Sequence, residues 1–316
     1  MAGLRTAVFV LVAGSLCLAG EGRLKRVHYL MGTLFEITVR DSDREGATAA
    51  VEAAFAEIRR ADERLSHYRG ESELSRWNRS PAGEWTPLSS ELSALFKESL
   101  AFDRLSGGAF RVTVAPLIEL WRGAAAENRI PSRTDLKVAR AASDPALIEI
   151  RNGEARRLAP DVRVEFGAIG KGWAVDRAVA VLRARGIRDG LVSAGTSTLY
   201  AMGTDGEKTG WRIEIRDPSG GDGTVKQITL CEMAVSTSAS YERFHEIQGR
   251  RYSHILDPRT GRPAEGMRSV TVIAPSATEA DALSTAVYVL GMEAGQRLLS
   301  RLGRRGYLYD DERGSP

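Results

Sequence analysis

The stretch Tyr252-Ser253-His254-Ile255-Leu256-Asp257-Pro258-Arg259-Thr260-Gly261 combines the end of an apolar strand with a turn built around proline. Ile255 and Leu256 indicate a buried strand end, and Asp257-Pro258 forces an extended exit or a turn. A rigid turn at a sheet edge can direct polar side chains toward a ligand. Two interpretations stay open here: a ligand site, or a hairpin turn in which Asp257 caps its own backbone.

Strands are predicted on both sides of this stretch. A hairpin over residues 244–256 leads into it, and residues 268–274 alternate as the next strand. Further strands are expected at residues 34–39, 110–121 (ended by Pro116), 162–166, 191–193, 199–202, 211–216, 225–230 and 234–235.

Helices are predicted where apolar residues recur with helical spacing. These are residues 47–65, 89–105, 173–185, 278–290 and 293–302. Residues 66–87 are interpreted as a polar loop, and residues 123–145 as a surface excursion or short helix. Strands grouped between helices without strict alternation favour an α+β fold, and no linker divides the chain.

Composition excludes several classes of protein. The 316 residues carry 44 basic and 41 acidic side chains, evenly spread, and few aromatic ones, so a nucleic-acid partner is not expected. HExxH, CxxC and Gly-x-Ser-x-Gly motifs are absent from the sequence.

The N-terminus resembles an export signal. Arg5 precedes an apolar run at residues 7–18, which is too short for a comfortable membrane span, so residues 1–20 are predicted to be a secretory signal peptide. Cys17 raises a lipoprotein alternative, although Leu16 occupies the position before it where a small residue is preferred. The expected location is the periplasm or the outer face of the cytoplasmic membrane, with membrane contact only through this N-terminus. Cys231, the other cysteine, is interpreted as a buried strand residue.

A glycine-rich turn lies at residues 167–172, between a predicted strand and a predicted helix. Backbone N–H groups at a helix N-terminus bind phosphate, and Lys171 would add a positive charge. The alternative is an ordinary strand-to-helix turn with Lys171 in solvent.

Asp281 and Thr285 are four residues apart on a predicted helix and therefore share a face. Carboxylate and hydroxyl oxygens suit Mg²⁺. The alternative is a capping box in which Thr278 begins the helix and Asp281 serves only its first turn. The hydroxyl-rich residues 236–240 either line a ligand pocket or end a strand.

Seven motifs taken in order resemble the FAD:protein FMN transferases of the ApbE type. They are Met31-Gly32-Thr33, Ser66-x-Tyr68 with Ser72-Glu73-Leu74, residues 110–117 with Trp121, residues 167–172 with Asp176, Thr237-Ser238, residues 253–261, and residues 280–285. Each motif alone is weak, but seven in register are specific.

The resemblance implies a single ApbE-like domain, related to the T-fold, with a mostly antiparallel sheet and packed helices at residues 27–303. Residues 304–316 are then a C-terminal strand or tail. It also implies Mg²⁺-dependent transfer of the FMN moiety of FAD onto a threonine or serine hydroxyl of a target flavoprotein, releasing AMP.

The resemblance also implies roles for individual residues. Asp281, Thr285 and the backbone oxygen of Ala168 are the expected Mg²⁺ ligands. His254 and Asp257 form the expected catalytic pair, and which of them takes the hydroxyl proton stays open. The expected FAD contacts are Met31, Tyr68, Ala115, Glu165, Lys171, Thr237, His254 and the backbone around Ile255.

The sequence departs from the family pattern at two places. Glu165 occupies a position where another acid is usual, and Gly195-Thr196-Ser197 replaces the usual Gly-Gly-acid. The second departure favours one alternative, an FAD-binding protein without transferase activity. A further alternative is an FAD diphosphatase, in which water replaces the acceptor hydroxyl and the products are FMN and AMP.

Overall fold

The structure, a computed structural model, describes residues 22–206, 209–219, 223–240 and 244–310. Within these ranges there are eight α-helices: α1 (Arg44–Leu65), α2 (Glu73–Arg79), α3 (Ser90–Leu105), α4 (Ala115–Ala126), α5 (Arg133–Ala142), α6 (Gly170–Ala184), α7 (Ala277–Leu290) and α8 (Met292–Arg301). The predicted signal peptide and Cys17 lie outside the described residues.

The same ranges contain the following strands, given in chain order: β1 (Arg23–Leu30), β2 (Thr33–Arg40), β3 (Thr86–Pro87), β4 (Ile148–Arg151), β5 (Glu154–Arg157), β6 (Asp189–Ala194), β7 (Thr198–Met202), β8 (Trp211–Arg216), β9 (Thr224–Leu230), β10 (Met233–Ala239), β11 (Phe244–Ile247), β12 (Arg250–Ser253), β13 (Leu256–Asp257), β14 (Arg262–Pro263), β15 (Met267–Ala274) and β16 (Arg305–Asp310).

Seven strands form one antiparallel sheet in the order β1-β2-β6-β7-β10-β15-β16. β16 lies within residues 304–316, the predicted C-terminal strand or tail. The α+β class and the mostly antiparallel sheet of a single domain are confirmed. β1 and β16 both extend beyond residues 27–303, the limits predicted for the domain.

One face of the sheet packs against α1, α6 and α7. The alternating residues Phe35, Ile37 and Val39 of β2 are fully buried in this core, as their period of two predicts. Burying an apolar side chain of this size contributes about 1.5–3 kcal/mol. The helices that carry the glycine turn and Asp281 are thus fixed to the sheet by the main core.

The other face of the sheet is covered by the β8–β9 hairpin. Trp211, Ile213 and Leu230 of the hairpin form a second apolar cluster with Leu191 and Ile273 of the sheet. A third cluster joins α4 and α5 to β11 and β13 through Leu117, Trp121, Leu136, Ala139, Ile247 and Leu256.

Two predicted strands are wrong. Residues 115–126 form α4, because Pro116 lies at the start of a helix, where its missing N–H costs nothing. Residues 162–166 join no ladder, although Val162 and Val164 are fully buried. The side chain of Asn78 accepts from the N–H of Val164 (2.9 Å) and donates to its carbonyl (2.8 Å), which takes the place of a neighbouring strand.

Other local predictions also need correction. The predicted polar loop at residues 66–87 contains α2, whose Trp77 is buried and donates through Nε1 to the carbonyl of Ala155 (3.2 Å). The β4–β5 hairpin was not predicted. Cys231 is exposed after the end of β9, where the chain leaves the sheet, and is therefore not a buried strand residue. Across the described ranges, no helix combines the length and apolarity needed to cross a membrane.

Candidate functional site

Asp281 lies in the first turns of α7 and is only 4% exposed. Its Oδ2 accepts a hydrogen bond from the backbone N–H of Gly172 at the start of α6 (3.0 Å). Its Oδ1 accepts from the hydroxyls of Thr198 on β7 (3.3 Å) and Ser236 on β10 (3.2 Å). Two strands and two helices therefore converge on one buried carboxylate.

No lysine or arginine in the described part of the chain pairs with Asp281. A buried carboxylate held only by neutral donors keeps a large desolvation cost, which a bound cation would offset. The described residues contain no cluster of three or more His, Cys, Asp or Glu side chains. A cation here would thus rely on one carboxylate, on hydroxyl and carbonyl oxygens, and on substrate phosphate, a donor set that fits Mg²⁺.

Further hydroxyls continue this site along α7. Thr285, one turn beyond Asp281, lies 3.3 Å from the hydroxyl of Ser238, which is 2.9 Å from that of Ser284. The predicted Asp281–Thr285 face is therefore confirmed as a polar face against β10. The hydroxyl-rich stretch after residue 235 forms part of the strand and lines the site through its even-numbered positions.

The capping-box interpretation of Asp281 is wrong. Ser276 caps α7 by accepting from the N–H of Glu279 (3.1 Å). Asp176 on α6 accepts from the N–H groups of Ala277 and Thr278 (2.8 Å each) and from the Thr278 hydroxyl (2.5 Å). Burial raises the pKa of Asp176, although these hydrogen bonds act in the opposite direction. Asp281 is left free to face β7 and β10.

Gly172 permits the close approach of α6 and α7. A Cβ at this position would lie 2.2 Å from the carbonyl oxygen of Ala277 and 2.8 Å from the Cβ of Asp281, so any larger residue would separate the helices. Because the Gly172 N–H already donates to Asp281, this amide is occupied. Fewer backbone N–H groups of residues 167–172 are therefore available to a phosphate than the three glycines of the sequence imply.

Two predicted FAD contacts lie against the glycine turn. Glu165 folds over it, since a Cβ on Gly167 would lie 2.4 Å from its Oε1. The side chain of Met31 lies on the other side, with its Cε 3.8 Å from the position of a Cβ on Gly170. Met31 itself has a positive φ of 49°, in the tight turn that joins β1 to β2.

Ala168 and Lys171 lie within the same turn and are both half-buried. Ala168 precedes α6 by two residues, and Gly172 in the first turn of that helix donates its N–H to Asp281. Lys171 forms no ion pair with any described residue. Its charge is therefore available to an anion bound at this turn.

His67 connects Tyr68 to the turn and shares a cleft with Ala115. The ring of Tyr68, which is 79% exposed, lies 3.8 Å from the ring of His67 between centroids. His67 Nδ1 lies 3.6 Å from Glu165 Oε1. His67 and Ala115 both line a cleft of about 490 Å³. Of the predicted FAD contacts, Met31 and Glu165 thus lie against the turn, Ala115 lines the cleft, and Tyr68 contacts His67, which lies near Glu165 and also lines the cleft.

Asp257 is engaged by Arg259 within the opening stretch. Arg259 donates through Nε to Oδ1 and through Nη2 to Oδ2 (2.9 Å each), and its backbone N–H also donates to Oδ1 (2.9 Å). This pairing raises the pKa of Arg259. The interpretation that Asp257 caps its own backbone is therefore confirmed, and its carboxylate is neutralised by a bidentate partner.

The turn that carries Asp257 is anchored on three sides. Arg259 Nη2 also reaches the carbonyl of Val289 near the end of α7 (3.4 Å), and Trp121 on α4 donates to the carbonyl of Gly261 (2.8 Å). The buried Ile255 accepts from the N–H of Ala264 (2.9 Å). His254 is half-buried where β12 ends, at the entrance to this fixed turn.

Thr237 is separated from the Asp281 site by the sheet. Its hydroxyl lies 2.8 Å from that of Thr271 on β15, whereas its neighbours Ser236 and Ser238 face α7. Strand alternation therefore places the Thr237 side chain on the opposite face. Its backbone N–H donates to Ser197 at the β6–β7 turn (2.8 Å).

The β6–β7 turn accommodates the Gly195-Thr196-Ser197 departure. Gly195 keeps the glycine that its positive φ of 59° favours, and a Cβ there would lie 2.3 Å from the Thr33 hydroxyl. Thr196 is exposed, so its Cβ displaces no described neighbour from the core.

The chain matches the model of the ApbE family over residues 31–308. The chain belongs to the ApbE family. It is similar to the FAD:protein FMN transferase of Escherichia coli K12, with 32% identity over 291 residues that cover 89% of this chain and 82% of the relative. It is also similar to that of Vibrio cholerae, with 33% identity over 299 residues and coverage of 90% and 88%.

Solved ApbE structures have the same fold. The ApbE protein of Thermotoga maritima superposes with a TM-score of 0.84 at 31% identity, covering 93% of this chain and 96% of that one. The flavinyl transferase ApbE of Pseudomonas stutzeri, in its apo form, has a TM-score of 0.79 at 32% identity, with 92% of each chain covered. The resemblance predicted from the seven motifs is confirmed.

Sequence reasoning assigned no contact partner to several residues of this ApbE site, although it gave residues 236–240 as a possible pocket lining. Thr198 and Ser236 hold Asp281, His67 contacts Tyr68 and Glu165, and Arg259 pairs with Asp257. The alternation of side chains along residues 234–239 could have predicted that Ser236 and Ser238 lie on the same face of the strand. Nothing local predicted the contact of Thr198 with Asp281 or that of His67 with Glu165, because these partners lie far apart in the sequence.

Proposed function

We propose that this protein transfers the FMN moiety of FAD onto a threonine or serine hydroxyl of a target flavoprotein, in a Mg²⁺-dependent reaction that releases AMP. Its relatives bear the name of this activity, and flavin transfer is the class of reaction that its family membership supports. The acceptor protein and FAD are then the two substrates of a transferase.

The observation that carries the proposal is the surroundings of Asp281. A carboxylate that is 4% exposed and bound only by the Gly172 amide and two hydroxyls suits a cation. Thr285, Ser238 and the carbonyl of Ala168 would supply further oxygen ligands. When bound, Mg²⁺ would neutralise charge on the diphosphate and on the departing phosphate of AMP.

The other residues would bind and orient the two substrates. Lys171 and the remaining amides of the glycine turn would bind diphosphate oxygens. The Met31 side chain and the Tyr68 ring would contact the nucleotide. Each of these groups belongs to a tightly bonded turn, which limits the entropy lost when FAD binds.

In the transfer step, the acceptor hydroxyl oxygen forms a bond to the FMN phosphorus as the bond from this phosphorus to the bridging oxygen breaks. The bridging oxygen leaves on AMP. We assign the hydroxyl proton to His254, because both oxygens of the Asp257 carboxylate are occupied by Arg259. Asp257 would then hold the turn that presents His254.

The direct test mixes the purified protein with FAD, Mg²⁺ and an acceptor domain that contains a threonine. A fluorescent flavin band on the denatured acceptor, of the mass of FMN, supports the proposal. Free FMN and AMP without labelled acceptor would indicate a diphosphatase. Unchanged bound FAD would indicate a binding protein. The acceptor with its threonine changed to alanine is the control.

The role of His254 is tested by His254→Gln. We expect the transfer rate to fall by a factor of about 10²–10⁴, the usual contribution of a positioned base, while FAD affinity changes little. An Asp257→Asn variant that loses as much activity with no change in melting temperature would assign the proton to Asp257 instead.

We also propose that the protein is exported, on the basis of the apolar run at residues 7–18. Its acceptor would then be a protein of the periplasm or of the outer face of the cytoplasmic membrane. Fractionation of cells that express the full chain should recover the protein outside the cytoplasm. Recovery of uncleaved protein in the cytoplasm would contradict export.

A further inference from the structure

His67 lies against two expected FAD contacts and lines a cleft with a third, although the family resemblance gives it no role. It contacts the Tyr68 ring, its Nδ1 is 3.6 Å from Glu165 Oε1, and it lines the same cleft as Ala115. The inference below rests on the proposed function, because it concerns how this chain binds FAD.

Tyr68 is an unusual aromatic residue because 79% of its surface is exposed. The ring of His67 covers part of it, with a centroid separation of 3.8 Å and an interplanar angle of 41°. Such a ring pair contributes about 0.5–1.5 kcal/mol beyond the area it buries. The pair restricts an otherwise mobile side chain and leaves the rest of its ring open to a ligand.

The backbone beneath this pair is fixed by Ser66. Its hydroxyl accepts from the N–H groups of Tyr68 (3.3 Å) and Arg69 (3.2 Å). Its carbonyl accepts from the hydroxyls of Ser72 (2.5 Å) and Ser75 (3.1 Å). His67 and Tyr68 therefore project from a rigid turn at the end of α1.

His67 also faces the glycine turn. The Glu165 carboxylate, 15% exposed, lies between the imidazole and Gly167. At 3.6 Å the contact of Nδ1 with Oε1 is electrostatic rather than a hydrogen bond. A donor N–H or a protonated ring at His67 would hold this carboxylate over the turn, away from solvent.

We propose that His67 is a positioning residue for FAD, which orients the Tyr68 ring through ring contact and the Glu165 carboxylate through its Nδ1. In this role His67 sets the affinity for FAD and takes no part in the transfer step. Affinity and turnover should therefore respond differently when it is replaced.

The test measures FAD affinity by titration calorimetry without acceptor, and then kcat at saturating FAD with acceptor. His67→Ala should weaken FAD binding about three- to tenfold, the loss expected from one aromatic pair, and leave kcat within about twofold. His67→Phe, which keeps the ring, and His67→Gln, which keeps a polar group near Glu165, should each restore part of the affinity.

Variants in a double-mutant background test whether His67 affects FAD affinity through Tyr68 and Glu165. In a Tyr68→Ala, Glu165→Gln background, we expect His67→Ala to change FAD affinity by less than twofold, because its two partners are gone. His28→Ala is the matched control, since His28 stacks on Phe55 (4.0 Å) away from the turn, and it should leave FAD affinity unchanged.

Equal FAD affinity of wild type and His67→Ala would overturn the inference, as would a full effect of His67→Ala in the double background. The proposed function fails separately: a wild type that binds FAD but labels no acceptor contradicts transfer and leaves the role of His67 in binding measurable. A wild type that binds no FAD contradicts both.

Discussion

The carboxylates of Asp281 and Asp257 belong to the same residue type but have opposite surroundings. Asp281 is buried and receives hydrogen bonds only from an amide and two hydroxyls. Asp257 receives both arms of Arg259 and a backbone N–H. A bound cation would offset the cost of burying the first carboxylate, whereas the second carboxylate is already paired with the guanidinium of Arg259.

The two carboxylates therefore have different roles within one fold. α7 connects the two regions: Asp281 lies near its start, and the carbonyl of Val289, which Arg259 contacts, lies about two turns further along. We therefore expect changes at Asp281 to act on the metal and changes at Asp257 to act on geometry.

The largest effect is expected for Asp281→Asn. This variant keeps the shape and removes the charge, so the transfer rate should fall at least about 100-fold while FAD binding weakens less. The measurement is the initial rate of acceptor labelling over a range of Mg²⁺ concentrations. Glu293→Gln, whose side chain is 88% exposed, is the control and should behave as wild type. Equal activity of wild type and Asp281→Asn would contradict the proposal that Asp281 is a Mg²⁺ ligand.

An intermediate effect is expected for Asp257→Asn and Arg259→Lys. Both break the bidentate pair, so the turn that follows His254 loosens and kcat should fall about tenfold. Loss of a charged hydrogen bond, about 1.5–3 kcal/mol, should also lower the melting temperature by several degrees.

The response to Mg²⁺ distinguishes these variants from Asp281→Asn. Because the pair with Arg259 lies outside the proposed metal site, the Mg²⁺ concentration for half-maximal rate should stay as in wild type. A shift of that concentration in Asp257→Asn would show that the two regions are not separate.

The smallest effect is expected for Thr198→Val and Ser236→Ala, which remove hydroxyls that hold Asp281 Oδ1. Groups that orient a metal ligand usually change metal affinity by a factor of 10 or more, but the two hydroxyls share one oxygen, so each loss should cost about three- to tenfold. Titration of activity with Mg²⁺ measures this change.

Thr271→Val is the matched control for these variants. Its hydroxyl bonds to Thr237 on the opposite face of the sheet, so the Mg²⁺ requirement should not change. A control that weakens Mg²⁺ binding as much as Thr198→Val would show that loss of any sheet hydroxyl has this effect, and that Asp281 is not specifically held.

Local pattern predicted most of the secondary structure correctly. The alternation in β2 and the helical stripe of α1 follow from the burial of one face, which repeats along the sequence. The strand predicted at residues 162–166 was wrong because the side chain of Asn78, and not a neighbouring strand, bonds to the backbone of Val164. The strand predicted at residues 110–121 was wrong because Pro116 could equally end a strand or begin a helix.

The functional site was likewise predictable from the sequence only where it depends on local spacing. The sequence by itself determined the family, the pairing of Asp281 with Thr285 on one helix face, and the turn that ends at Gly261, because these depend on spacing within a short segment. Only the tertiary structure decided what the Asp281 carboxylate contacts, whereas the partner of Asp257 lies two residues away in the chain. Thr198 and Ser236 reach Asp281 from strands 83 and 45 residues away in sequence. Sheet order brings these strands together, and no local pattern encodes a contact formed by the packing of distant elements.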